Sequence, residues 1–171
     1  MERNKVILVD KDDNAIGEMD KMEAHLKGEL HRAFSICIFN HEGNMLIHQR
    51  AYNKYHGGGL WTNACCSHPQ WGEELKESAM ERLHYEMGIQ CDIDRRFAFL
   101  YKTPVENGLI EHELDHVFIG YTDEKPAPHP EEVNDFRWIS PMTLQNMVSL
   151  YPQDFTYWFR ILLKKIAATA G

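Results

Sequence analysis

Several features are scarce or missing in this 171-residue chain, and each gap excludes a class of protein. Cysteine is sparse: Cys37, Cys65, Cys66 and Cys91 are too few and too irregularly spaced for the disulfide framework of a small secreted domain. No apolar run is long enough to span a bilayer, and the polar start Met1-Glu2-Arg3-Asn4 lacks the form of a signal peptide. A cytoplasmic, reduced protein is therefore expected. Positive charge is in deficit: the net charge of −8 argues against nucleic acid or a membrane surface as partner. A glycine-rich phosphate loop is missing too, because Gly57-Gly58-Gly59 lacks the required spacing and the helix that should follow. What is present is ordinary, with 43% hydrophobic and 26% charged residues and no internal repeat or low-complexity tract. Residues 1–171 suit one domain, burying roughly 70% of the unfolded surface.

Hydrophobic patterning predicts strands at 6–9, 33–39, 89–103, 109–121 and 133–139, with 45–50 returning as a hairpin partner of 33–39. A short helix is expected over 20–26, the strongest one over 73–87, another from Ser140-Pro141 to about Leu150, and a last one capped by Asp154. Strands, one strong helix, more strands and terminal helices together describe an α+β domain. In the 73–87 helix, Leu75, Ala79, Leu83 and Met87 form one stripe, with Glu86 inside it and Arg82 at its edge. An inward carboxylate needs a cation, either Arg82 or a metal. On the 109–121 strand, Glu111, Glu113 and Asp115 share a face with Val117 and Ile119. Pattern alone favours a strand end emerging into water there, with the rim of a polar pocket as the other possibility. Helical spacing alone makes Trp158 a core residue.

The chemistry-bearing stretch is Leu60-Trp61-Thr62-Asn63-Ala64-Cys65-Cys66-Ser67-His68-Pro69. Adjacent cysteines rarely bridge each other, so a thiol here is free to be a metal ligand, a nucleophile, an acid, or simply a buried small hydrophobe. His25, His31 and His68 with Glu111 and Glu113 suit an octahedral divalent ion better than a closed tetrahedral zinc site. Lys21, Arg50, Lys54 and Arg82, with Glu86, are what a polyphosphate site needs, although Lys21 and Lys54 taken singly read as surface charge.

Together, Trp61-Thr62-Asn63, Cys65-Cys66-Ser67-His68-Pro69, Glu111-His112-Glu113-Leu114 and Trp158 resemble the type I isopentenyl-diphosphate isomerases, a branch of the Nudix superfamily. Leu30-His31-Arg32-Ala33-Phe34-Ser35 supports the resemblance, which covers nearly the whole chain. It implies a Nudix-like mixed β-sheet flanked by helices, and conversion of isopentenyl diphosphate to dimethylallyl diphosphate in isoprenoid biosynthesis. It implies Cys66 and Glu113 as catalytic thiol and carboxylate, Tyr101 as hydrogen-bond partner of the carboxylate, and Trp158 as the indole facing a carbocation-like state. His25, His31, His68, Glu111 and Glu113 would hold one divalent ion (Mn2+, Zn2+ or Mg2+). Lys21, Arg50, Lys54 and Arg82 would bind the diphosphate, with Glu86 holding Mg2+. No flavin is implied, and a monomer is expected. The superfamily's metal-binding helix is degenerate here: Glu81-Arg82 replaces Arg-Glu, and Tyr85-Glu86 replaces Glu-Glu. That weakens the alternative of a Nudix-type diphosphate hydrolase; a metal-binding module with a structural Cys/His loop is a further alternative, in which Cys66→Ala would cost folding. Where the family has an aromatic residue and proline, this chain has glycines, which predicts a more mobile loop.

Overall fold

The apolar run at 33–39 becomes the middle of a strand buried on both faces, as a continuous hydrophobic strand must be. The computed structural model describes residues 3–169. Its strands are β1 (Lys5–Val9), β2 (Ala15–Asp20), β3 (His31–Phe39), β4 (Met45–Arg50), β5 (Trp61–Thr62) and β6 (Cys65–Ser67), then β7 (Ile93–Pro104), β8 (Ile110–Tyr121) and β9 (Val133–Ile139). The helices are α1 (Lys21–Lys27), α2 (Leu75–Met87), α3 (Pro141–Leu150) and α4 (Tyr157–Thr169).

β3 is the axis of one mixed sheet. It pairs in parallel with β8 from His31↔Glu113 to Phe39↔Tyr121, and antiparallel with β6 from Phe34↔Ser67 to Ile36↔Cys65. β8 folds back on β7 around Glu106-Asn107-Gly108, where Asn107 and Gly108 take left-handed φ values of 63° and 71°. Alternation along β3 and β8 divides the core. Phe34, Ile36, Ile38 and Phe118 pack under Ala79, Leu83 and Met87 of α2. Cys37, Val117 and Ile119 pack under Trp158, Phe159 and Leu162 of α4. The fold is therefore α+β, a mixed sheet flanked by helices. Among the described residues, no helix is long and apolar enough to cross a membrane.

Three expectations need correction, and one strand was not foreseen. The strand at 45–50 has the predicted bounds, but it touches β3 only at Phe39↔Met45 and pairs instead with β9 and β5. Residues 15–20 form a strand whose apolar side chains are too few to announce it, and pairing with β1 supplies its stability. Asp154 lies in a short 3-10 turn, while the hydroxyl oxygen of Thr156 accepts from the Phe159 N–H at the start of α4. The glycine loop is closely packed. Gly57 and Gly59 have φ of 65° and 82°, and a Cβ on Gly58 would lie 2.6 Å from the Tyr52 carbonyl oxygen. These glycines serve close approach, so looseness is not their role.

Candidate active site

The site starts from strand register. In the three neighbouring strands β7, β8 and β3, Tyr101, Glu113 and His31 stand opposite one another in a single row. Directly opposed residues point to the same face, so pairing alone brings these three together. Further along β3, Ser35 stands opposite Cys66 of β6. The acids of β8 do not emerge into water: Glu111, Glu113 and Asp115 are all buried. His25 is delivered by α1, which Asp20 caps by accepting from the Met22 and Glu23 N–H groups and which Gly28 ends in the left-handed region.

Tyr101 lies behind the carboxylates, its hydroxyl 2.5 Å from Glu113 Oε1 and 2.9 Å from Glu111 Oε2. The other oxygens face imidazoles. Glu113 Oε2 is 3.0 Å from His31 Nε2 and 2.8 Å from His68 Nε2, and Glu111 Oε1 is 2.8 Å from His56 Nε2. Two donor sets result, His25, His31, His68 and Glu113, and His25, His56 and Glu111, with His25 common to both. Burial alone would raise the Glu113 carboxyl, but the hydrogen bonds and charge of His31 and His68 outweigh it and hold it well below the usual carboxylate range. Burial pushes His68 down to about 3. On His31 burial opposes charge, but the Glu113 carboxylate wins and raises it.

These donors fit a divalent ion. His25 Nδ1 lies 2.7 Å from the Lys21 carbonyl, which fixes the proton there, and His31 Nδ1 is likewise 3.0 Å from the Glu29 carbonyl. The opposite His25 nitrogen, Nε2, is buried without a hydrogen-bond partner among the described residues. A buried acceptor left bare is costly. A carbonyl on one ring nitrogen and an open lone pair on the other is how imidazole ligands are oriented.

A cavity of about 290 Å³ opens beside this cluster, lined by Cys66, Glu111, Glu113, Glu86 and Trp158 and by Lys21, Arg50, Lys54 and Arg82. Cys66 and Glu113 thus share one hollow. The Cys66 sulfur lies 3.1 Å from Asn63 Oδ1, accepts from the Trp158 N–H at 3.0 Å, and has the Ser35 hydroxyl at 3.7 Å. Burial, reinforced by Asp115, pushes the thiol up to about 12. Trp158 is both core and site, for it packs with α4's apolar stripe while the Arg50 guanidinium lies 5.2 Å from its ring.

At the other end, Arg82 donates to Glu86 Oε2 from Nε and Nη2 at 3.2 and 2.9 Å. Burial still raises Glu86 despite that partner. Lys21 and Lys54 are not plain surface charges. Lys21 sits 4.9 Å over the Tyr55 ring, with its pKa lowered by burial and by Lys54, and Lys54 is paired to Glu132. Tyr101, His25 and His31 form the wall behind the cavity and do not line it. Sequence patterning missed His56, Ser35, Asn63 and Glu132. No periodic segment carries His56, and Glu132 precedes a strand in an irregular loop, so only their positions in space mark them.

Comparison with known proteins adds the following. A NUDIX domain family model matches residues 29–159. The chain is similar to the isopentenyl-diphosphate Delta-isomerase of Pectobacterium atrosepticum, at 45% identity over 97% of this chain and 93% of that one. The protein of that name from Serratia proteamaculans is also 45% identical, over 95% of this chain and 91% of its own. Among solved structures, a Deinococcus radiodurans protein superimposes with a TM-score of 0.77 at 15% identity, covering 94% of this chain and 98% of that one. A MutT protein of Methanosarcina mazei gives 0.68 at 17% identity, covering 82% and 95%. At such low identity these two structures speak to the fold.

Proposed function

Because the chain belongs to the isopentenyl-diphosphate Delta-isomerases of the NUDIX domain family, we propose that it converts isopentenyl diphosphate to dimethylallyl diphosphate, with Cys66 and Glu113 as its proton-transfer pair. The observation that carries this is the shared hollow, in which a thiol and a carboxylate line one cavity whose other end carries four cationic side chains.

The reaction adds one proton to the alkene and removes a different one. Burial keeps Cys66 a thiol and the two histidines keep Glu113 a carboxylate, so the pair holds a single proton at rest, as a one-in, one-out exchange requires. Tyr101 orients Glu113 through Oε1 and is a positioning residue. Trp158 lines the cavity beside the sulfur, where a desolvated ring–cation contact is worth about 2 kcal/mol. Walls of Phe34, Ala33 and Trp158 limit the water that would trap a carbocation-like state. Lys21, Arg50, Lys54 and Arg82 hold the diphosphate. His25, His31, His68, Glu111 and Glu113 would hold a divalent cation whose charge would keep Glu113 ionised, and Glu86 would hold Mg2+ for the diphosphate. All these residues lie on one chain, which supports a monomer as the working form.

A diphosphate hydrolase is the weaker reading. Of the degenerate helix only Glu86 lines the cavity as an acid, since Glu81 is exposed and the neighbouring lining position is Tyr85. The deciding measurement is incubation with isopentenyl diphosphate after loading with Mn2+ and Mg2+. Appearance of the dimethylallyl isomer without phosphate release is expected. Unchanged substrate, or released phosphate, would overturn the proposal.

A further inference from the structure

We propose that His56 is a sixth protein ligand of the divalent-cation centre, which then consists of four imidazoles and two carboxylates. The inference rests on the assignment of that centre to His25, His31, His68, Glu111 and Glu113.

His56 is 4% exposed, and its Nε2 lies 2.8 Å from Glu111 Oε1. At that distance a hydrogen bond would be the bland explanation, but the direction is wrong for one, and the buried Nε2 has no hydrogen-bond partner among the described residues. The two atoms pair by proximity and not by a hydrogen bond, so the ring nitrogen and the carboxylate oxygen are both available to a cation between them. His25 Nε2 has the same orphaned condition, and the donor atoms of His25, His56 and Glu111 lie within 4.8 Å of one another. Tyr101 sorts the carboxylate oxygens, taking Oε2 of Glu111 and Oε1 of Glu113. The oxygens left over are those that face His56 on one side and His31 and His68 on the other. His25 belongs to both sets, but the six donors do not all lie within 4.8 Å of one another, so one ion held at His25 Nε2 would have to draw the two sets together on binding.

The loop explains how the ring gets there. Arg50 Nη2 donates to the His56 carbonyl at 3.1 Å, and the Gly57 N–H donates to Glu106 Oε1 at 2.8 Å. The glycines that follow let the backbone lie against Tyr52, where a side chain would collide. Behind His56 the Tyr55 and Trp158 rings stand edge-on at 4.4 and 6.1 Å.

Two chemical consequences follow. Five protein donors leave an octahedral ion one position for water next to a cavity that must stay dry, and His56 fills it. Four nitrogen donors also turn selectivity from Mg2+, which prefers oxygen, toward Mn2+, Fe2+, Co2+ or Zn2+.

The test uses the full chain stripped by chelator dialysis and titrated with Co2+ against a competing chelator, comparing wild type, His56→Ala, His56→Gln and His25→Ala. Both His56 variants should bind Co2+ at least tenfold more weakly, with a shifted visible d–d band as one nitrogen donor is lost. His56→Gln keeps the volume of the ring closely enough to report if His56→Ala fails to fold. Wild-type affinity and an unshifted band in the His56 variants, with binding lost in His25→Ala, would overturn the role of His56 alone. Unchanged binding in His25→Ala, or none in wild type, would overturn the centre itself and this inference with it. Two ions in wild type falling to one in the His56 variants would overturn the shared-ion assignment.

Discussion

Cys66 is set by burial and by two close polar contacts of its sulfur, and each has a different consequence. Burial holds it as a thiol, Asn63 offers an acceptor, and the Trp158 N–H supports charge if it develops on the sulfur. None of these contacts carries the fold, because the sulfur sits at the cavity wall and not in the middle of a core cluster. Cys66→Ala should therefore lower kcat by about 10²–10⁴-fold, the usual worth of a positioned proton donor. Its melting temperature should stay close to wild type. A large drop in thermal stability with residual isomerase activity in proportion to folded protein would show that the thiol is structural. Sequence alone could not separate these roles for a free cysteine beside a histidine, since both occur in small-residue loops.

At the level of elements, two devices build the site: the register of β3 between β8 and β6, and the packed turn that carries His56. The register places Tyr101, Glu113 and His31 in one row and Cys66 beside Ser35. Slipping β8 by one residue would turn His112 and His116 inward and the acids outward. The helix over 73–87 was legible because its stripe and its stop at Gly88 are local, and Glu86 was correctly placed inward by angle alone. The turn was not legible, because glycine read in isolation means freedom, whereas here the neighbouring Tyr52 carbonyl demands the missing Cβ. Gly58→Ala should destabilise the fold by about 1–3 kcal/mol as an overpacking change against backbone, measurable as a lower urea midpoint. An unchanged midpoint would mean the turn relaxes freely.

For the whole molecule, charge and burial run in opposite senses. A protein of net charge −8 gathers Lys21, Arg50, Lys54 and Arg82 around one hollow, so this concentration of positive charge is local and unrelated to its overall sign. Burial also leaves a record in pH dependence away from the site. His48 is 3% exposed in β4, and burial, with Arg50 adding to it, pushes it down to about 3. Between pH 6.5 and 3 the unfolded chain therefore binds this proton and the native one does not, so stability falls as pH falls through that window. From pH 6.5 to 5, His48→Gln should flatten the slope of unfolding free energy by up to about 1.4 kcal/mol per pH unit. Parallel slopes for the two proteins would show that His48 is protonated when folded.

Local patterning fixed the α+β class, most element positions and the inward Glu86, and the motifs singled out Cys66, Glu113 and the four cationic residues that line one cavity. These depend on local periodicity and on short segments whose chemistry is unusual wherever they occur. Tertiary structure alone decided that β4 leaves β3 for β9, that the acids of β8 are buried and not wetted, that Glu132 pairs with Lys54, and that His56 reaches the imidazole cluster. The physical reason is that burial and pairing are properties of what lies across the gap. His31, His68 and Glu113 meet, and His56 meets Glu111, only once the strands and the loops between them have chosen their partners.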